Sequence, residues 1–163
     1  MSNQHAWGIA CGYLLKGARA VMWGRVAEGY EYFNRAKHTG AKLDEIINRR
    51  LSAILSDYEE EYGASAANKV LTLWINCLNA FVGKTDIRRL KSNYLINQAF
   101  KSYRVEDFSK VLGVVTKAIT DDYRYIFNRG VLSIIVDSLV RKAGRKLSNP
   151  NYWSGIKTKR AGK

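Results

Sequence analysis

The sequence predicts an all-α protein: a helical bundle with an extended N-terminal helical arm and a basic C-terminal tail. The chain has one proline in 163 residues, which suits long helices because proline removes a backbone donor and clashes with the preceding turn. Apolar residues also recur with the 3.6-residue period of amphipathic helices over much of the chain. Charge and composition then divide it into three predicted regions, residues 1–40, 41–144 and 145–163.

The N-terminal region, residues 1–40, is predicted to be a helical arm. Five glycines lie between residues 8 and 29, and each costs a helix roughly 0.8–1 kcal/mol relative to alanine. Counted at about 100° per residue along one continuous helix, the large apolar side chains fall on opposite sides, with Trp7, Leu14 and Val21 facing away from Trp23, Val26 and Tyr30. We therefore expect residues 6–37 to become ordered only against partners.

The middle region, residues 41–144, is predicted to be the bundle. Apolar residues at helical spacing indicate helices over residues 43–62, 65–82, 85–100, 105–127 and 131–143. Gly63 suits the left-handed residue that ends a helix. The last segment is rich in β-branched residues, but Arg141 and Lys142 near its end and Gly144 after it favour a helix over a strand.

The net charge points to a polyanionic partner. Lys and Arg number 27 against 14 Asp and Glu, a formal charge of +13. From Arg141 onward there are eight basic residues and no acidic one. An excess of this size is typical of proteins that bind nucleic acid. The longest apolar-rich segment, residues 70–82, is shorter than the roughly 20 residues that a bilayer requires, so a membrane partner is not required.

No pattern in the sequence indicates an enzyme. Gly12 and Gly17 have the spacing of a phosphate-binding loop, but Ala18 stands where that loop needs a lysine. Two cysteines and two histidines cannot supply a disulfide framework or a typical zinc site. We expect Cys77 to be a core residue, and we predict a protein without catalytic residues, metal or cofactor.

Basic residues supply the candidate nucleic-acid contacts. Lys84, Arg88 and Lys91 share one face of a predicted helix, where a solvated surface is an equally good explanation. In the arm, Lys16, Arg19 and Trp23 form a similar stripe, and Lys37 falls on the same face three turns later. The rest of that segment is apolar and small, which favours a functional role for its basic residues. The tail combines basic residues with Tyr152 and Trp153, which either stack on bases or, as we prefer, anchor the tail on a neighbouring subunit. The full predicted set is Lys16, Arg19, Trp23, Arg25, Lys37, Lys84, Arg88, Lys91, Arg145, Lys146, Lys157, Lys159 and Arg160.

This layout resembles the major coat proteins of filamentous archaeal viruses, the rudivirus and lipothrixvirus group. The resemblance covers the whole chain: an arm over residues 7–37 with glycine and alanine interleaved with Lys16, Arg19 and Arg25, followed by a bundle from Leu43. It implies a virion subunit whose arm faces double-stranded DNA and whose bundle forms the outer shell. It also implies assembly into a homo- or hetero-oligomeric filament that binds DNA without sequence preference.

Two other functions remain open at this point. The first is a small helical subunit of a nucleic-acid-processing complex, such as a CRISPR effector, which would act in the cytoplasm and would not polymerise. The second is a membrane-active protein that uses residues 6–37 as an interfacial helix. The segment is less cleanly amphipathic than such helices require.

Overall fold

The computed structural model describes residues 3–80 and 82–147, with side chains for residues 7–80 and 82–144. This part of the chain is all-helical and contains no strand, which confirms the predicted fold class. Six α-helices and one 3₁₀ helix follow in order: α1 Asn3–Met22, α2 Val26–His38, α3 Glu45–Leu78, α4 Lys84–Arg104, α5 Phe108–Asp121, the 3₁₀ helix Tyr123–Phe127 and α6 Arg129–Leu147.

The described helices form two compact units, unit 1 up to Asn97 and unit 2 from Gln98. Unit 1 contains α1, α2, α3 and most of α4, and it therefore includes all of the region predicted as an arm. Unit 2 contains the end of α4, then α5, the 3₁₀ helix and α6. The predicted tail over residues 145–163 falls largely outside the described residues, which end with the backbone of Leu147.

Local sequence signals set the start of α3 and its interruption. The Asp44 side chain caps its first turn by accepting a 2.8 Å hydrogen bond from the Ile47 amide, one of the amides that a helix leaves unpaired. Gly63 lies at φ +84° and ψ 163° and interrupts the helix where the sequence predicts an end. A residue without a Cβ adopts this backbone conformation at little cost.

The N-terminal region differs from the predicted continuous arm because the chain turns after α1. Gly24 adopts φ +76°, and the Gly24 and Arg25 amides donate to the carbonyls of Val21 and Ala20 at 3.0 and 2.9 Å. The two resulting helices pack against each other as a hairpin. A turn resets the angular position of every later residue, so apolar side chains of both helices reach the same core.

That core is shared with α3, so the segment packs within its own chain. Leu14, Val21 and Phe33 are buried in one cluster with side chains of α3 and α4. At its centre, Trp74 of α3 is fully buried and its indole nitrogen donates to the carbonyl of Ala18 at 3.0 Å. The expectation of a separate arm treated these two helices as one.

Two glycines allow the close approach of α1 and α2. A Cβ added at Gly17 would lie 3.1 Å from the Gly29 carbonyl oxygen, and one added at Gly29 would lie 2.5 Å from Val21 Cγ2. Gly12, by contrast, faces open space. The two glycines thus allow a close approach inside one chain, between the two helices of the hairpin.

Replacing Gly29 with alanine should therefore destabilise the protein, and replacing Gly12 with alanine should stabilise it. At Gly29 the overpacking costs about 1–3 kcal/mol, which exceeds the helix-propensity gain of about 0.8–1 kcal/mol. At Gly12 only the gain applies. Chemical denaturation of the two variants measures the change in the free energy of unfolding of each. A stabilised Gly29→Ala variant would contradict the close packing.

In unit 2, α5 packs on α6 through one face of each helix. Asp107 caps α5 by accepting from the Lys110 amide at 3.1 Å, and the buried residues of α5 are Phe108, Val111, Val115 and Ala118. The sequence predicts one helix over residues 105–127, but α5 ends at Asp121. The side chain of Asp122 then accepts from the backbone amide and the guanidinium of Arg124, which holds the 3₁₀ helix in place of a continued α-helix.

Candidate nucleic-acid interface

Two basic side chains meet over one aromatic ring on the outer surface of the hairpin. The Tyr13 and Tyr32 rings stack with their centroids 6.3 Å apart and an interplanar angle of 27°. Lys16 Nζ lies 6.0 Å from the Tyr32 ring centroid, and Arg35 Cζ lies 5.9 Å from the same centroid. We call these four residues the Tyr32 cluster.

The helical hairpin brings the Tyr32 cluster together from two short repeats. Tyr13 and Lys16 lie three residues apart on α1, and Tyr32 and Arg35 lie three residues apart on α2, a spacing that places side chains on one helix face. Both cations are exposed and both tyrosines are half-buried. Among the residues that the structure describes, neither Lys16 nor Arg35 forms an ion pair, so an external anion meets their full charge.

An exposed tryptophan lies at the tip of the hairpin, beside two arginines. Trp23 is 61% exposed, and its amide donates to the carbonyl of Arg19 at 3.1 Å. Arg19 is exposed without an ion pair in the described part of the chain. Arg25 Nη1 lies 3.0 Å from Glu28 Oε2, and this solvent-exposed pair only partly offsets the arginine charge.

Of the predicted arm residues, the structure brings Lys16, Arg19 and Trp23 together and separates Lys37 from them. Lys16 belongs to the Tyr32 cluster, and Arg19 and Trp23 follow it at spacings of three and four residues along α1 and its end. Lys37 is exposed in the last turn of α2. Gly17, the neighbour of Lys16, packs against Gly29, and Lys37 lies eight residues beyond Gly29, about 12 Å farther along the helix axis. The predicted alignment of Lys37 with Lys16 assumed a continuous helix, and the turn at Gly24 removes it.

The predicted stripe of Lys84, Arg88 and Lys91 lies on the first turns of α4. Lys84 and Arg88 are exposed, Lys91 is half-buried, and none of them pairs with an acidic group in the described ranges. The neighbouring Arg89 does so, with its Nη1 3.4 Å from Asp86 Oδ1. These three cations form a second basic surface of unit 1, on a helix outside the hairpin.

The remaining predicted residues belong to the tail. Arg145 and Lys146 fall within α6, but their side chains lie outside the described residues. Lys157, Lys159 and Arg160, like Tyr152 and Trp153, also lie outside them. The tail's contribution to binding stays a prediction.

Sequence reasoning missed Tyr13, Tyr32 and Arg35. The available signal was the repeated pattern of a tyrosine followed three residues later by a cation, Tyr-Leu-Leu-Lys and Tyr-Phe-Asn-Arg. Each copy alone is unremarkable as a pattern. Their meeting depends on the turn at Gly24, which a single continuous helix lacks.

Two cysteines lie in the core of unit 1. Cys11 and Cys77 are buried, and burial raises the pKa of both thiols, so both stay protonated at neutral pH. Within the described residues, no group of three or more His, Cys, Asp or Glu side chains is placed to hold a metal ion. In the same part of the chain, no helix combines the length and apolar character needed to cross a bilayer.

No known protein family, curated protein or solved structure matches this chain significantly. Its function must therefore be inferred from the chemistry of its own surfaces, above all the hairpin surface formed by Arg19, Trp23 and the Tyr32 cluster.

Proposed function

We propose that this chain is a structural protein that coats nucleic acid. It binds the sugar-phosphate backbone without sequence preference, with double-stranded DNA as the favoured partner, and assembles in repeated copies, as the coat protein of a filamentous virus does in the virion. The observation that supports this proposal best is the hairpin surface, where Lys16, Arg19 and Arg35 are exposed, without ion pairs to described residues, and interleaved with aromatic rings.

The chemistry of this surface suits phosphate rather than base edges. Lysine and arginine bind phosphate oxygens, and such contacts position a protein on DNA without reading its sequence. Aromatic rings such as those of Trp23 and Tyr32 add apolar contact to sugars or to unpaired bases. Bidentate readout in the major groove, by contrast, relies on paired donors and acceptors from a helix that enters the groove. A net charge of +13 attracts the polyanion over the whole surface.

The packed hairpin changes how the proposed coat would engage DNA. A segment that folds only on its partner would wrap the duplex, whereas the hairpin presents its cations from a rigid surface. This same observation favours a second candidate, a small helical subunit of a nucleic-acid-processing complex, because such a subunit also binds as a folded body. Both candidates bind the backbone, and only the coat protein polymerises on it.

Negative-stain microscopy with a nuclease-protection assay separates these functions. Purified protein freed of nucleic acid is mixed with duplexes of unrelated sequence. We expect regular filaments, DNA protected in proportion to the protein added, and affinities within a few-fold of each other. Binding as discrete particles without protection along the DNA would favour the processing-complex subunit. A protein that ignores DNA but binds lipid vesicles at physiological salt would contradict both.

A further inference from the structure

The outward side of α6 is apolar over three turns. Leu132, Val136, Leu139 and Val140 are 42%, 59%, 52% and 65% exposed, and we call them the α6 stripe. Their spacing of three, four and seven residues places them on one helix face. The opposite face of α6 is the one that packs within unit 2, where Val131, Ile134 and Ser138 are buried.

The α6 stripe continues onto the 3₁₀ helix that precedes it. Ile126 is 43% exposed and Phe127 is 76% exposed. Together with the stripe they expose on the order of 600 Å² of apolar side chain per copy, close to the roughly 800 Å² per partner of a standard protein interface. This area is at the upper end of the largest apolar patch on a typical monomeric protein, and patches of that size often mark an interaction surface.

We propose that the α6 stripe binds the same surface of a second copy of this chain, with the two α6 helices antiparallel across a two-fold axis at Ser133. A surface that binds its own copy across such an axis must be complementary to itself. In this register, two residues lie opposite each other when their numbers are equally distant from 133. Charge and apolar character can then be checked pair by pair.

The charges at the edge of the stripe satisfy this condition. Arg129 and Asp137 lie four residues on either side of Ser133, so Arg129 of each copy lies level with Asp137 of the other. Both residues line one shallow groove together with Leu132, Ser133, Val136 and Val140. Arg129 makes no ion pair with any described residue. Asp137 already accepts from Arg141 at 2.8 Å and from the Tyr103 hydroxyl at 2.6 Å, and these contacts fix its position.

Two residues of the α6 stripe also find exposed apolar partners in this register, whereas Leu132 lies level with Ile134, which is buried within unit 2. Leu139 lies level with Phe127 of the second copy, and Val140 lies level with Ile126. Val136 lies level with Gly130, which itself carries no side chain. A register centred on Val136 would instead leave Phe127 beyond the end of the partner's stripe and set Arg129 against Ala143.

This dimer would supply one of the contacts that the proposed coat requires, but it does not rest on nucleic-acid binding. Burial of apolar surface drives the association. Each copy also carries a charge of +13, and salt screens the repulsion between the two copies. Salt therefore favours or preserves the dimer, whereas it weakens phosphate binding steeply. Measurements on nucleic-acid-free protein at high salt test the dimer alone. A monomeric protein under these conditions would refute the dimer without deciding the proposed function, which the microscopy and nuclease-protection assays test separately.

Sedimentation of the full chain in high salt, without nucleic acid, tests the interface. We expect a dimer for the unchanged protein and a dissociation constant raised by about tenfold or more in Val136→Glu, which buries an unpaired charge. Val105→Glu is the matched control, because Val105 is 75% exposed but lies outside the stripe. Circular dichroism confirms that both variants keep their helices. A monomeric unchanged protein, or equal effects of both variants, would overturn the proposal.

Cysteine cross-linking tests the register. The axis places the two Ser133 side chains next to each other, so Ser133→Cys should form a disulfide-linked dimer with oxidised glutathione. In Val140→Cys the two thiols would stand fourteen residue positions apart along antiparallel helices, about 21 Å, and should not link. The native cysteines, Cys11 and Cys77, are buried. Cross-linking of Val140→Cys but not Ser133→Cys would refute this register, and no cross-link in either would mean that another partner or segment covers the stripe.

Discussion

Replacing Lys16, Arg19 and Arg35 together with glutamine should lower the affinity for duplex DNA by about 10²–10³-fold at 0.1 M salt. Each phosphate contact contributes roughly 0.9 to the slope of log affinity against log salt, so the slope should become shallower by about three. The fold should persist, because all three side chains are exposed. Fluorescence anisotropy across a salt series measures both the affinity and the slope.

The control for this variant removes the same charge elsewhere. Lys69, Lys110 and Lys117 are also exposed and lie outside every predicted binding set. Their replacement with glutamine should leave most of the affinity, since only the long-range field of the protein changes. Equal losses in the two triple variants would show that net charge alone drives binding, and the hairpin surface would then have no special role.

Trp74→Ala should remove about 3–5 kcal/mol from the free energy of unfolding. The indole is fully buried and its hydrogen bond to the Ala18 carbonyl joins α3 to α1. The loss would be a large share of the 5–15 kcal/mol that stabilises a typical domain. Trp74→Phe keeps most of the apolar volume and should cost less, although it gives up the hydrogen bond.

Trp23→Ala is the matched control, because this tryptophan is mostly exposed at the hairpin tip and its loss should change stability by no more than about 0.5 kcal/mol. Chemical denaturation measures all three variants. Hydrogen exchange on the nucleic-acid-free protein adds a second readout, because α1 should be protected together with α3. A Trp74→Ala variant as stable as the original, or rapid exchange throughout α1, would mean that α1 is not packed on α3.

Sequence patterns anticipate the helices well, because periodic burial is a local property. The helix type is correct for every predicted segment, including residues 131–143, where the cations near its end outweighed the β-branched residues. Gly63 interrupts α3 as its backbone preference suggests. The break at Asp122 escaped the prediction, since it depends on hydrogen bonds from Arg124 that a count of apolar positions does not contain.

The candidate site was anticipated only in part. Lys16, Arg19 and Trp23 follow from one helix face, which a sequence shows directly. Tyr32 and Arg35 join them only because the chain reverses at Gly24, and a glycine in a glycine-rich segment does not by itself mark a turn. The pairing of Gly17 with Gly29 is likewise a contact between helices, and only the fold identifies which of the five glycines matter.

The bond between Trp74 and Ala18 spans 56 residues of sequence, and this separation has a consequence during synthesis. The hairpin is complete once His38 has been made, but its core face is covered only after Trp74 follows. At roughly 5–20 residues per second, Leu14, Val21 and Phe33 would stay uncovered for about 2–7 seconds after the hairpin could first form. A glycine-weakened α1 is only marginally stable by itself in that interval, so the nascent segment is most exposed to wrong apolar partners on the ribosome, before the rest of its core exists.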